Sequence, residues 1–170
     1  GQTAHPFESL YRYDGGSLMG QPRGEVYRAL KQARLKVREG LDLPEDHLSF
    51  IAALEAELCD RAATYLRNGD VAAAARTLSD QRAFFDEHIA SWFGDFRDRA
   101  SAMVTTRFYR GVLKVTDAFF NDEPGMMDEL LEYVSQRFSR KAVERIACAR
   151  DSEGCAVPRA RLRDSGACML

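Results

Sequence analysis

The apolar residues of this sequence recur at steps of three and four along most of its length, and no stretch alternates with a sustained period of two. That spacing puts them on one face of an α-helix and leaves no half-buried strand from which to build a sheet. Leu48, Ile51, Leu54, Leu58, Ala62 and Leu66 trace one such stripe, and Val26, Leu30, Ala33 and Val37 trace another. The chain is therefore expected to be all-α, a helical bundle.

Local signals divide the helices. Pro22 suits a first turn and Gly40 a C-terminal stop, so one helix is expected between them. Pro44-Glu45-Asp46 opens the next, with acidic residues at the positive end of its dipole, and Asn68-Gly69-Asp70 ends it. Val71 to Leu78 reads as a short Ala-rich helix. Ser79 or Asp80 is expected to cap another, which carries Phe84, Phe85, His88, Ile89, Trp92, Phe93 and Phe96. A further helix runs through Phe108, Val112, Val115 and Phe119 to Phe120, stopped by Asn121 to Pro124. The last spans Met126 to about Ile146. Phe7 to Gly20 reads as an aromatic-rich loop broken by Gly15, Gly16 and Gly20. Residues 1–147 form the helical domain, and 148–170, with Gly, Pro and Arg but no period, read as a C-terminal tail.

A length of 170 residues, 45% hydrophobic and 29% charged, fits one globular domain with a real core. The net charge of −2 gives no global pull toward nucleic acid or an anionic membrane. No run of about 18 apolar residues is present, so no membrane span is expected. The N-terminal residues lack a basic region followed by an apolar one, so they do not read as a secretory signal, and the cytoplasm is the expected compartment. Of the four cysteines, Cys59 sits in an apolar helical pattern and reads as a small core residue. Cys148, Cys155 and Cys168 contain no CxxC pair and have no nearby His, so they read as reduced thiols and not as metal ligands.

Catalytic motifs are missing. The sequence contains no GxxxxGK[ST] loop, no GxGxxG after a strand, no HExxH and no GxSxG. The histidines, His5, His47 and His88, lie far apart. Asp86, Glu87 and His88 are adjacent, so they point in different directions and read as a solvated helical turn with His88 beside Trp92. No catalytic residue, metal ligand or cofactor site is assigned.

Two segments stand out. Pro44-Glu45-Asp46-His47-Leu48, at the mouth of the long helix, reads either as an N-terminal cap made by Asp46 or Glu45 or as a small acidic-plus-imidazole site able to hold a guanidinium in two hydrogen bonds. Phe7-Glu8-Ser9-Leu10-Tyr11 reads either as aromatic packing of a loop onto the bundle or as an apolar wall for an amphipathic peptide.

Taken in order, Phe7-Glu8-Ser9-Leu10-Tyr11, Leu18-Met19-Gly20, a helix and then Pro44-Glu45-Asp46-His47-Leu48 resemble the TorD/DmsD/NarJ family of chaperones. Phe85, His88, Ile89, Trp92 and Phe96 look like that family's aromatic helix, and Phe108-Tyr109 like the segment after it. The likeness runs from about Phe7 to Phe120. It implies a cytoplasmic all-helical chaperone that binds the twin-arginine signal peptide or the apo form of a molybdenum-cofactor oxidoreductase and assists its maturation before export. It also implies a peptide site at Phe7, Ser9, Tyr11, Gly20, Pro44, Asp46 and His47, and no cofactor. Where the family often has an acid directly before the proline, this sequence has Leu43, with Asp42 next to it. Family members also carry helices ahead of the Phe7 segment that are absent here. Either the sequence is a piece of a longer chain or partner helices come from exchange between protomers, giving a homodimer.

The alternative is a helical oligomerisation or structural module in which Asp46 and His47 only cap a helix. A third reading, a helical hydrolase using Asp46 and His47 as an acid–base pair, lacks a nucleophile or metal set.

Overall fold

The computed structural model describes residues 3–12, 20–37 and 42–153. Gly15, Gly16, Leu18, Met19, Gly40, Cys155 and Cys168 lie outside the described residues. A 3-10 turn, Glu8–Leu10, precedes helices α1 (Gln21–Gln32), α2 (Leu48–Arg67), α3 (Val71–Phe85), α4 (Phe93–Met103) and α5 (Arg107–Glu153), with a π-helical turn at Asp86–Ala90. Among the described residues no strand forms. An isolated antiparallel bridge, Phe7 to His47, is the sole β-type pairing there. The all-α helical bundle is the observed fold.

α2 follows its stripe, with Ile51, Leu54 and Ala62 buried. It ends at Asn68, and Gly69 takes the left-handed φ of 75° that lets the chain turn into α3. Asp70 caps α3, its Oδ1 accepting from the Ala73 amide at 3.0 Å. α3 packs against both α2 and α5. The core has two parts. Trp92, Phe85, Phe93 and Phe96 pack with Ile51 and Leu54 of α2, Val26 and Leu30 of α1 and Met127 of α5. Ala62, Val71, Ala74, Leu78 and Val134 form a second, smaller cluster.

Four boundaries differ from expectation. α1 stops at Gln32, well before Gly40, because Arg34 adopts a left-handed φ of 58°. The Arg34 amide then bonds the Lys31 carbonyl at 3.0 Å and the Leu35 amide the Leu30 carbonyl at 2.9 Å, which closes the helix end as a Schellman motif. The Arg61 guanidinium donates to the Ala33 carbonyl from α2, and Leu35 packs against the core. Ser79 and Asp80 cap nothing, since α3 runs through them to Phe85. Asn121 to Pro124 do not stop a helix either. α5 continues through Pro124 and past Ile146 to Glu153, a length of 47 residues. An interior proline costs about 3 kcal/mol. Here Leu113, Phe120, Met127 and Val134 lie seven apart on one inward stripe, and packing on both sides of Pro124 outweighs that cost. Cys59, finally, is exposed and not in the core. Its Sγ, turned in toward Gln81, accepts from Gln81 Nε2 at 3.0 Å, and the partial burial of that thiol group pushes its pKa up.

Candidate peptide groove

The turn before α2 is built as a tie between two segments. Asp46 is fully buried. Its Oδ2 accepts from the Ser9 amide at 3.0 Å, and its backbone carbonyl accepts from the Glu8 amide at 3.1 Å. It therefore caps the 3-10 turn of the Phe7 segment, while α2 is capped by its neighbour. His47 is the N-cap of α2, its Nδ1 accepting from the Ser49 amide at 3.1 Å. That bond requires a neutral Nδ1 lone pair. Burial holds the His47 pKa below the ordinary histidine value, against the opposing pull of the Asp46 charge. The Leu48 amide bonds the Pro6 carbonyl at 2.9 Å, and the Phe7 ring meets the His47 ring edge-on at 5.0 Å between centroids.

Of the seven residues expected to form a peptide site, Phe7, Ser9, Pro44, Asp46 and His47 come together here, the Pro44 carbonyl accepting from the His47 amide at 3.1 Å. Tyr11 sits elsewhere, stacked on the buried Trp92 at 5.6 Å, with the Arg99 guanidinium 5.1 Å from its ring centroid. Burial pushes the Tyr11 phenol pKa up. Gly20 is the N-cap of α1 and lines a separate concavity with Arg23, Tyr27 and Glu45. There Arg23 Nε donates to Glu45 at 2.5 Å and holds that carboxyl below the usual range.

His47 also forms the edge of a larger feature. An open groove of about 690 Å³ runs between the start of α2, α4 and the first half of α5. Leu48 and Ala52 line it from α2, Phe93, Phe96, Ala100 and Met103 from α4, and Tyr109, Val112, Leu113, Thr116 and Phe120 from α5, with Thr3, Ala4 and Pro6 at one end. Its walls are largely apolar, and the polar side chains among its lining are His47, Ser49, Thr3, Thr116 and the Tyr109 phenol. Apart from His47, these residues were not expected at the site. The available signal was the run Phe96, Ala100, Met103 at helical spacing, and the Phe108-Tyr109 pair that opens α5.

The turn expected to be solvated, Asp86 to His88, is only partly so. The π turn swings His88 into the interior, where Nδ1 stands 2.9 Å from Glu8 Oε2, itself fully buried. The Trp92 indole N–H donates to the His88 carbonyl. Arg12 joins this cluster, with Nη1 at 2.7 Å from Glu8 and 3.7 Å from Glu25, and Nη2 at 3.2 Å from Glu87. Among the described residues, Glu25, Glu87 and His88 could bring three ligand atoms within 4.8 Å of one another. The Arg12 guanidinium already supplies the positive charge there. The arrangement ties the Phe7 segment, α1 and the π turn into one unit.

Residues 1–98 match the model of the nitrate reductase delta subunit family. The chain belongs to that family. Among curated members, it is 27% identical over 130 residues to the chaperone protein TorD of Vibrio cholerae, covering 76% of this chain and 57% of that one. It is 24% identical over 136 residues to TorD of Shewanella pealeana, with 76% and 55% covered, and 28% identical over 116 residues to TorD of Vibrio vulnificus, with 68% and 53% covered. The chain thus spans a little over half the length of these TorD relatives. No solved structure matches it. The family resemblance read from the Phe7 and Pro44-Glu45-Asp46-His47-Leu48 segments is borne out by these matches. Among the described residues no helix is long and apolar enough to cross a membrane.

Proposed function

We propose that the chain is a cytoplasmic chaperone that binds the twin-arginine signal peptide or apo form of a molybdenum-cofactor oxidoreductase before export, and that it is not an enzyme. The observation that carries this reading is the apolar groove edged by the Pro44-to-Leu48 turn, in a family whose curated members are named chaperones. The groove takes the apolar stretch of the signal peptide, and the arginines lie over the turn at its mouth.

The turn offers two carboxylates, Glu45 and Asp46. Asp46 Oδ1 is buried without a hydrogen-bond partner, as is Ser9 Oγ. A buried acceptor left unpaired is costly, so a small opening of the turn that lets a guanidinium reach Oδ1 gains a charge-assisted bond and removes that cost. Phe7, Ser9 and Pro44 position the turn. Tyr11, stacked on Trp92, and Gly20, in the concavity beside Glu45, lie outside the turn and are proposed only as its surroundings.

The test is calorimetric titration with a twin-arginine signal peptide and its twin-lysine version. Lysine keeps the charge and loses the planar fork. Twin-arginine binding is expected to be saturable, to weaken sharply with lysine, to weaken with Asp46→Asn and to vanish with Ala52→Trp, which fills the groove. Equal binding of the two peptides would overturn the reading and leave a nonspecific acidic surface. No binding, or binding indifferent to Ala52→Trp, would overturn it and favour a module without this peptide site.

A further inference from the structure

α5 has a second apolar face. One stripe, through Phe120, Met127 and Val134, packs inward. Another, through Phe108, Val115, Phe119, Met126, Leu130 and Tyr133, faces solvent, with Phe108 and Val115 each 71% exposed. Steps of seven, four, seven, four and three keep these six on one side of the helix. The stripe runs from residue 108 to residue 133, about 38 Å of helix. A contiguous face of that size on a charged helix marks an interaction surface.

The flank beside the stripe identifies the occupant. It carries Arg107 and Lys114 toward the start of α5, and Glu129 and Glu132 farther along, all exposed. In an antiparallel pair of identical helices each flank meets its own copy reversed. The basic half of one protomer then lies against the acidic half of the other. Parallel pairing would set like charges at the same level. With the two-fold axis near residues 120 and 121, Phe108 meets Tyr133 of the second copy, Val115 meets Met126, and Lys114 comes beside Glu129. Gly111 and Gly125, one on either side of that axis, have nothing within 4 Å of where a side chain would begin, so the backbones have room to approach. Six large side chains and their flanks offer on the order of 600 Å² per partner, the lower range of specific interfaces.

We infer that α5 pairs antiparallel with α5 of a second copy of this chain, through the Phe108-to-Tyr133 stripe. Helix exchange, one of the two alternatives raised by the absence of helices ahead of the Phe7 segment, would require elements to leave their own bundle. Face-to-face pairing leaves each bundle intact. Phe119 does not line the peptide groove, so the pairing and the peptide site are separable.

Sedimentation equilibrium over a concentration series tests the inference. The chain is expected to be a dimer whose dissociation constant rises at least tenfold in Phe119→Glu, with the far-ultraviolet circular dichroism unchanged because Phe119 is half exposed. Lys114→Glu alone should weaken the dimer, and adding Glu129→Lys should restore it, since antiparallel pairing puts these two charges side by side. A monomer at every concentration, or a dimer insensitive to Phe119→Glu, would overturn the inference. Failure of Glu129→Lys to restore the Lys114→Glu dimer would overturn the antiparallel arrangement. Peptide titration of Phe119→Glu keeps the two readings apart, since it should bind peptide as the parent does.

Discussion

The bundle around Trp92 and the helix α5 solve the burial problem differently. From the Phe7 segment through α4, most of the large apolar side chains point inward, with Tyr27, Leu43, Tyr65 and Met103 the exposed ones among the described residues. Trp92, Phe85, Ile51, Leu54 and Ile89 are almost completely enclosed, and buried Glu8 is paired with His88 and Arg12. α5 buries one stripe and leaves Phe108, Val115 and Phe119 to water. Its first half also forms one wall of the groove. A region that hides its apolar surface can stand by itself, whereas a helix apolar on two sides is suited to more than one contact. In this molecule the scaffold is the aromatic bundle, and the proposed recognition surfaces are the groove, one wall of which α5 forms, and the outer stripe of α5.

The difference is sharpest in paired substitutions. Trp92→Ala should destabilise the fold by about 3–5 kcal/mol, the range for a buried aromatic lost to a cavity. Phe119→Ala, measured in dilute solution, should change it by no more than about 0.5 kcal/mol. Urea unfolding of the two variants checks this, and equal losses would erase the contrast.

The seam between the regions carries the next effect. Glu55 on α2 bonds Gln81 Nε2 at 2.9 Å, its Oε1 has no hydrogen-bond partner, and Glu123 of α5 is buried near it. Burial, opposed by the Gln81 hydrogen bond and aided by the Glu123 charge, raises the Glu55 pKa from 4.5 to about 7. Burial also raises that of Glu123. The folded pKa lies above the unfolded one, so this stability is complete below pH 4.5 and is lost as pH rises through 7. The span corresponds to roughly 3 kcal/mol. Glu55→Gln should remove most of that decline, which unfolding at acidic and mildly alkaline pH would show.

Asp46→Ala should cost about 1–3 kcal/mol, because it strands the buried Ser9 amide. Thermal melts and the near-ultraviolet signal of the Phe7 segment report it. The smallest effect belongs to His47, whose folded pKa is held below 6.5. Its contribution is present above that value and fades as pH falls through the folded pKa. His47→Asn keeps an N-cap and should abolish this acid-side dependence in the same melts.

Much of the scaffold was legible in sequence because it rests on local signals. The α2 stripe, the Asn68-Gly69 stop and the special character of Pro44 to Leu48 all follow from spacing and from backbone-favouring residues. Boundaries decided by packing were not legible. Pro124 reads as a breaker until Phe120 and Met127 are seen to share one buried stripe, and Arg34 in a left-handed conformation has no sequence signature comparable to glycine. The site was half legible. Asp46 and His47 stood out, but spacing alone assigned the cap of α2 to Asp46 or Glu45. The structure gives that role to His47 and turns Asp46 toward Ser9. An apolar groove beside Asp46 and His47 was to be expected, but its walls were not legible, because they come from elements far apart in the chain and an apolar helical face looks the same whether it meets a core or a cleft.

A client peptide is proposed to lie in the groove between α2, α4 and α5. The most direct measurement is amide chemical-shift mapping of the isotope-labelled chain during titration with a twin-arginine signal peptide. Saturable shifts at Leu48, Ala52, Ala100 and Val112, with the outer stripe at Val115 and Met126 unmoved, are the predicted result. Shifts confined to that outer stripe, or no saturable shift at all, would contradict it.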